Sequence, residues 1–229
     1  MAEEAADRDR MAALEKGLAV IACFDASRPR MAIADVARAT GLTRAAARRC
    51  LLTLAGLGYA AFDGKYFALT PRVLRLGYAW LASTALPQLV QPFLERLSEA
   101  THESCSAAVL DGPEIVYIAR SAQRRIMSVG LSVGSRLPGF CSSMGRVLLA
   151  ARPEAEARAL MLGGGLQRLT PRTQTDIGRL MQVLSGVREQ GFALVDQELE
   201  LGLVSLAVPL LNARGEVVAA FNLSAQAQR

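Results

Sequence analysis

The tightest constraint on this chain lies between residues 33 and 69, where helix, turn, helix and hairpin signals follow one another. A short apolar-patterned segment with Ile33, Val36 and Ala37 runs into Thr40-Gly41-Leu42, a sharp turn of the kind that joins two helices. Thr43 is a good N-cap for a second helix, which carries Arg44, Arg48 and Arg49 and stops near Gly58. Beyond it, Tyr59-Ala60-Ala61-Phe62 and Lys65-Tyr66-Phe67-Ala68-Leu69 flank Asp63-Gly64, a strong hairpin signal. Helix, turn, basic helix and hairpin make a winged helix-turn-helix, a unit that reads DNA. The chain is therefore expected to be a gene regulator.

On the basic helix, Ala47, Cys50, Leu51, Leu54 and Leu57 share one face and are expected in the core. Arg44, Ala45, Arg48 and Arg49 fall outside it. The first turns of a recognition helix enter the major groove, where Arg pairs bidentately with guanine, and small Ala45 and Ala46 allow close approach. Thr43, Arg44, Ala45, Arg48 and Arg49 are thus candidate DNA-binding residues, joined by Lys65 at the wing tip. Lys65 has two readings, a phosphate contact or a solubilising charge, and Arg72 and Arg75 are within conceivable reach of the backbone. Charge placement agrees: residues 28–75 hold nine basic against two acidic side chains, a net +7. Residues 86–229 hold 14 against 13, a net +1. The excess of the whole chain, formally +5, sits where counterion release at phosphates needs it.

Several classes are excluded. An apolar fraction of 52% with 21% charged residues belongs to a folded chain, and 229 residues allow one large domain or two modest ones. No apolar run approaches the roughly 20 residues that span a bilayer. Glu3, Glu4, Asp7 and Asp9 do not form the basic-then-apolar pattern of a secretory signal, so residues 1–11 read as a flexible leader of a cytoplasmic protein with no membrane partner. Cys23, Cys50, Cys105 and Cys141 share no metal-ligand spacing and are expected to be buried small apolar side chains, without disulfide or zinc. The single histidine, His102, reads as a surface or helix-end residue. There is no HExxH, GxSxG, P-loop or GxGxxG, and Gly163-Gly164-Gly165 reads as a loop. No catalytic set, metal or cofactor is expected, and the chain is not read as an enzyme. An enzyme with an attached DNA-binding head is the weaker alternative.

Helical spacing predicts a first helix over 12–24. Thr70-Pro71 starts a further helix whose wide apolar stripe either links domains and pairs two copies, or packs on its own domain. After Pro87 a helix with Leu89, Val90, Phe93, Leu94 and Leu97 precedes short β-type runs at 106–110, 115–119, 126–131, 194–196, 204–210 and 217–222. Helices are expected over 143–151 and 173–190, and hairpins at Asp111-Gly112-Pro113 and Ala213-Arg214-Gly215. The class is α+β, with an antiparallel sheet in a sensor domain.

Gly41-Leu42-Thr43-Arg44 with Arg48-Arg49, then Leu57-Gly58-Tyr59 and Leu69-Thr70-Pro71-Arg72, resembles the head of IclR-type bacterial transcriptional regulators. Ser132-Val133-Gly134-Ser135-Arg136-Leu137-Pro138, Cys141-Ser142-Ser143-Met144-Gly145-Arg146 and Gly191-Phe192-Ala193-Leu194-Val195-Asp196 are similar to that family's effector domain. The branch it looks most like regulates protocatechuate and para-hydroxybenzoate catabolism. The resemblance implies a winged helix-turn-helix over 12–70, a linker helix over 71–86 and a GAF-like effector-binding domain over 87–229. It also implies promoter double-stranded DNA and a small organic acid as partners, and a homodimer or dimer of dimers.

Positions matching the family's ligand pocket are Leu137, Cys141, Ser142, Met144, Gly145, Leu203, Ser205, Asn222 and Ser224. Ser205, Asn222 and Ser224 are polar in strands otherwise made of Val, Leu and Ala, and buried polar groups need partners. Ser142-Ser143 opens a helical run whose free N–H groups suit a carboxylate, although ordinary N-capping accounts for the same residues. Two departures stand out. The chain ends at Arg229 where family members usually continue into a further helix, and Val195 stands beside Asp196 where relatives often offer more polar groups. A regulator whose sensor domain binds no ligand and serves assembly alone is the remaining alternative.

Overall fold

The computed structural model describes residues 10–25, 27–123 and 131–228. The chain divides into two compact units, 1–83 and 84–229.

In the first unit, α1 (Ala12–Ala22), α2 (Ile33–Thr40) and α3 (Arg44–Gly56) precede the strands β1 (Ala60–Phe62) and β2 (Phe67–Leu69). Gly41 ends α2 in the left-handed conformation, φ 69°, which a residue with no Cβ adopts without clash. Two residues later the Thr43 hydroxyl accepts the Ala46 N–H at 3.2 Å and starts α3. The hairpin is in register, with Ala60 opposite Leu69 and Phe62 opposite Phe67, and Met31 adds one bridge to Phe67. Val20, Met31, Val36, Ala47, Leu51, Leu54 and Phe67 form the core beneath. Leu57, expected there, is 54% exposed. It lies past the last turn of α3, where the helical period no longer fixes direction.

The linker helix expected over 71–86 is shorter. Pro71–Val73 is a 3-10 turn capped by Thr70, and α4 covers Leu74–Ser83. Leu74, Leu76, Tyr78 and Trp80 on it are exposed.

The second unit is built on a six-stranded antiparallel sheet. Its strands are β3 (Ser104–Asp111), β4 (Glu114–Ser121), β5 (Arg136–Pro138), β6 (Ala193–Asp196), β7 (Leu203–Leu211) and β8 (Val217–Gln226), ordered β5-β4-β3-β8-β7-β6. The helix α5 (Leu86–Thr101) covers one face, where Val90 and Leu94 pack with Cys105, Ala107, Ile118 and Ala219. The helices α6 (Ser143–Ala150), α7 (Glu154–Gly164) and α8 (Ile177–Gln190) cover the other, where Met144, Leu149, Leu180 and Leu184 meet Ala108, Ile115, Tyr117 and Ala220. Adjacent Ala107 and Ala108 thus serve opposite faces, as the pleat requires. Every residue of α6 is buried, because sheet and helices enclose it on both sides.

The strands at 106–110, 115–119, 194–196, 204–210 and 217–222 are present and each is longer than expected. Residues 126–130 of the strand expected at 126–131 lie outside the described residues. Strand β5 is additional, and so is α7. The glycine run read as a loop is helical to Gly164, with Gly165 as the cap, because glycine costs little in a last turn. Helix α8 begins later than expected, at Ile177, where the Asp176 carboxylate caps it by accepting the Arg179 N–H at 2.8 Å. His102 is the C-cap of α5, in left-handed geometry. Cys105 and Cys141 are buried, and Cys23 and Cys50 are partly so. Among the described residues no helix is long and apolar enough to cross a membrane, and no group of side chains has the makings of a metal site.

Candidate DNA-reading surface and effector site

On the first unit, Arg44, Ala45, Arg48 and Arg49 are exposed along α3, and Thr43 opens it. Three other cations of this unit are engaged: Arg28 pairs with Asp25, Arg30 with Asp63, and Arg38 with Asp35 at 3.5 Å. Among the described residues no such pair involves Arg44, Arg48 or Arg49, so their charge is available to a polyanion.

The wing is built around Asp63. Its Oδ1 accepts the backbone N–H of Lys65 at 3.0 Å and of Tyr66 at 2.7 Å, closing the turn. These hydrogen bonds, aided by Arg30, hold the carboxyl below the usual carboxylate range. Lys65 is exposed at the tip, with Nζ 5.1 Å from the centre of the Tyr66 ring. Arg72 lies over Tyr59 at 5.3 Å, which fixes its stem against the hairpin.

On the second unit, the strand register gathers polar side chains on the α6 side of the sheet. Ser106 on β3 is opposite Asn222 on β8 and Arg120 on β4. Ser224 is opposite Ser104 on one side and Ser205 on the other. The Ser205 hydroxyl donates to that of Ser143, in the first turn of α6, at 2.9 Å. Asn222 Nδ2 donates to the Ser224 hydroxyl at 3.0 Å, while Asn222 Oδ1 is buried without a hydrogen-bond partner among the described residues. Leu203 lies two residues before Ser205 on β7 and so shares its face.

Above this floor, Cys141 and Met144 are fully buried and apolar. Burial pushes the Cys141 thiol up to about 12, so it stays neutral. Leu137 packs beside them from β5. Ser142 is engaged as the α6 N-cap, accepting the Gly145 N–H at 3.3 Å. Gly145 lies against the Gly139 backbone, where a Cβ would collide with the main chain. Its contribution is the close crossing that holds the start of α6 over the sheet. Cavities of about 200 and 230 Å³ lie elsewhere in this unit, one beside Val147 and Val187 and one beside Pro113 and Phe140.

Arg120 is absent from the candidates named from sequence. In β4, Ala119 is opposite Ala107 and Tyr117 opposite Ala108, so Ile118 is an extra residue, a β-bulge. The bulge turns Arg120 to the same face as Tyr117, and its Nη1 donates to the Ser106 hydroxyl at 3.0 Å. Among the described residues, Arg120 Nε is buried with no hydrogen-bond partner. A strict two-residue alternation puts this side chain on the α5 face, so no period-based signal could place it.

A basic helix and wing on one unit, and a helix-covered antiparallel sheet on the other, are the two halves of a transcriptional regulator that joins DNA binding to an effector domain. Residues 13–64 match the IclR helix-turn-helix domain and residues 78–229 match the bacterial transcriptional regulator IclR C-terminal family. The chain belongs to the IclR family of DNA-binding transcriptional regulators, which are not enzymes. It is 47% identical over 224 residues to the Pca regulon regulatory protein of Pseudomonas putida, across 97% of this chain and 77% of the relative. It is 41% identical over 232 residues to the p-hydroxybenzoate hydroxylase transcriptional activator of Acinetobacter baylyi, across 99% of this chain and 86% of the relative. A solved structure of the Acinetobacter PobR inducer-binding domain, a double mutant in complex with 3-hydroxybenzoic acid, is 38% identical with a TM-score of 0.59. It covers 62% of this chain and 84% of that chain.

Proposed function

We propose that this regulator controls genes of aromatic-acid catabolism and that a small carboxylic acid, bound in the second unit, changes how it holds promoter DNA. The observation that carries the reading is the polar row Ser106, Asn222, Ser224 and Ser205 on the α6 face of the sheet, where it lies beside the apolar Ala108, Ala207 and Ala220. Buried polar groups in an apolar wall fix the orientation of a ligand. The relatives' names support the chemical class, since one is a p-hydroxybenzoate hydroxylase transcriptional activator and one is a double-mutant inducer-binding domain complexed with 3-hydroxybenzoic acid.

On DNA, Thr43, Arg44, Ala45, Arg48 and Arg49 serve the major groove and Lys65 a flanking phosphate. In this reading 12–70 binds DNA, 71–86 links and 87–229 senses, as a homodimer or dimer of dimers. The exposed Leu74, Tyr78 and Trp80 of α4 support pairing of two copies, since such a stripe is costly in water. Pairing turns one head into a reader of two half-sites, and an effector that favours one arrangement of heads shifts DNA affinity.

The test is a gel-shift titration of the protein's own promoter region with and without protocatechuate, para-hydroxybenzoate and β-ketoadipate. One of these acids is expected to change binding, and Ser205→Phe or Ser224→Phe to abolish the change while leaving DNA affinity intact. Binding that none of them alters overturns the sensor reading and favours an assembly role for the second unit.

A further inference from the structure

We infer that Arg30, Tyr66 and Lys65 form a phosphate grip that acts on DNA in addition to α3, with Arg30 and Lys65 as donors and the Tyr66 ring holding both. The inference rests on the DNA-binding reading above and extends it from the wing tip to Arg30, which precedes α2.

Met31 bridges Phe67, so the segment before α2 lies along β2 as a further short strand. Both of those side chains are buried in the core of the first unit. Successive residues of a strand face opposite sides, so Arg30 and Tyr66, each one step away, are turned to the outer face. There the Arg30 guanidinium carbon lies 5.4 Å from the centre of the Tyr66 ring, and Lys65 Nζ lies 5.1 Å from it. Both distances are within the range over which a ring face attracts a cation. Two like charges on one ring repel each other, and a polyanion relieves that repulsion.

The carboxylate at this turn does not cancel them. Asp63 Oδ1 is spent on the backbone N–H groups of Lys65 and Tyr66, and Oδ2 accepts a single nitrogen of Arg30, Nη2. Among the described residues Arg30 Nε and Nη1 have no acceptor, and the Arg30 side chain is 60% exposed. Arg28 is the contrast: it gives both Nε and Nη2 to Asp25, so its donor fork is already filled. Arg30 is thus oriented by Asp63 on one edge and open on the other. An open guanidinium edge suits the oxygens of a phosphate, and an ammonium beside it adds a point charge. A DNA backbone presents such oxygens repeatedly, and the exposed Arg44, Arg48 and Arg49 belong to the same unit.

Fluorescence anisotropy of the full chain tests the grip, with a duplex from its own promoter region and a shuffled duplex of the same length, between 50 and 200 mM salt. Arg30→Gln and Lys65→Gln should each lower the slope of log affinity against log salt by about 0.9, and by the same amount on both duplexes, because phosphate contacts carry no sequence information. Arg30→Lys, which keeps the charge, should keep the slope. Arg28→Gln should leave it unmoved. Tyr66→Leu should weaken binding to both duplexes by a common factor, and Tyr66→Phe, which keeps the ring, should not.

An unchanged slope in Arg30→Gln overturns the inference, and so does a loss confined to the promoter duplex, which marks a base contact. Equal losses in Arg30→Gln and Arg30→Lys mark a damaged turn, and equal losses in Arg28→Gln and Arg30→Gln mark net charge alone; either result overturns the grip. Tyr66→Leu that binds as the wild type does overturns the role of the ring. Each of these leaves DNA binding through α3 standing, whereas wild type that binds neither duplex overturns the DNA-binding reading together with the inference.

Discussion

Replacing Gly145 by alanine inserts one methyl group at the tightest crossing in the second unit. That methyl would sit 2.6 Å from the Gly139 carbonyl carbon and closer still to its oxygen and Cα. Carbon atoms settle at about 3.5–4.0 Å, so the start of α6 has to rise from the 139 loop by about 1 Å. The obstacle is backbone on both sides, which no rotamer change relieves. Overpacking of this kind costs about 1–3 kcal/mol, and a glycine-to-alanine change inside a helix returns up to about 1 kcal/mol. The expected net loss is about 1–2 kcal/mol. Gly186 in α8 is the control, with nothing within 4 Å of an added Cβ, and Gly186→Ala should stabilise by about 0.5–1 kcal/mol. Urea denaturation followed by far-ultraviolet circular dichroism measures both. Fluorescence of Trp80, the single tryptophan, belongs to the first unit and should leave its transition unmoved. Lifting α6 also draws Ser143 from Ser205, so Gly145→Ala should weaken effector binding as well. A Gly145→Ala protein as stable as Gly186→Ala refutes the reasoning.

Other expectations follow from the same contacts. Arg44→Ala and Arg49→Ala should each cost about 1–3 kcal/mol in operator binding measured by fluorescence anisotropy, and undiminished specific binding by the double variant removes α3 as the reader. Arg146 is buried, pairs with Glu198 at 2.8 Å and donates to the Phe140 carbonyl at 3.0 Å; Arg146→Met strands Glu198 and should destabilise by about 3–5 kcal/mol in a thermal or urea melt. Arg146→Met with Glu198→Leu should recover part of that loss, and no recovery argues against the buried pair as its source. The Cys141 thiol, raised to about 12 from 9.0, binds its proton more firmly in the folded chain than in the unfolded one. Its contribution is complete below about pH 9 and is lost as pH rises towards 12, so stability should fall over that window and Cys141→Ala should flatten the fall.

The head was legible in the sequence because its signals are local. A cap at Thr43, a glycine at 41, an apolar period through Ala47, Leu51 and Leu54, and Asp63-Gly64 at a turn each depend on a few neighbouring residues. They point to the same elements whatever lies far along the chain. Ser205, Asn222 and Ser224 were legible for a related reason, as polar side chains in apolar strands, and they do share one floor. The short strand β5 carries too few residues for a period to show, and α7 was obscured by the glycines at its end.

The rest was decided by pairings between distant segments. Ser142, Ser143 and Gly145 read alike from sequence as the mouth of a site; in the fold the first caps α6, the second meets Ser205, and the third clears the crossing with Gly139. Arg120 shows the limit most plainly. One extra residue at Ile118 reverses the face on which it lies, and that bulge exists only because β4 is laid against β3 in a particular register. Sequence by itself determined the identity of the local elements and the sign of the charge on the head. The side chains that share the floor of the second unit were set by tertiary structure, because register is a relation between strands and no single segment encodes it.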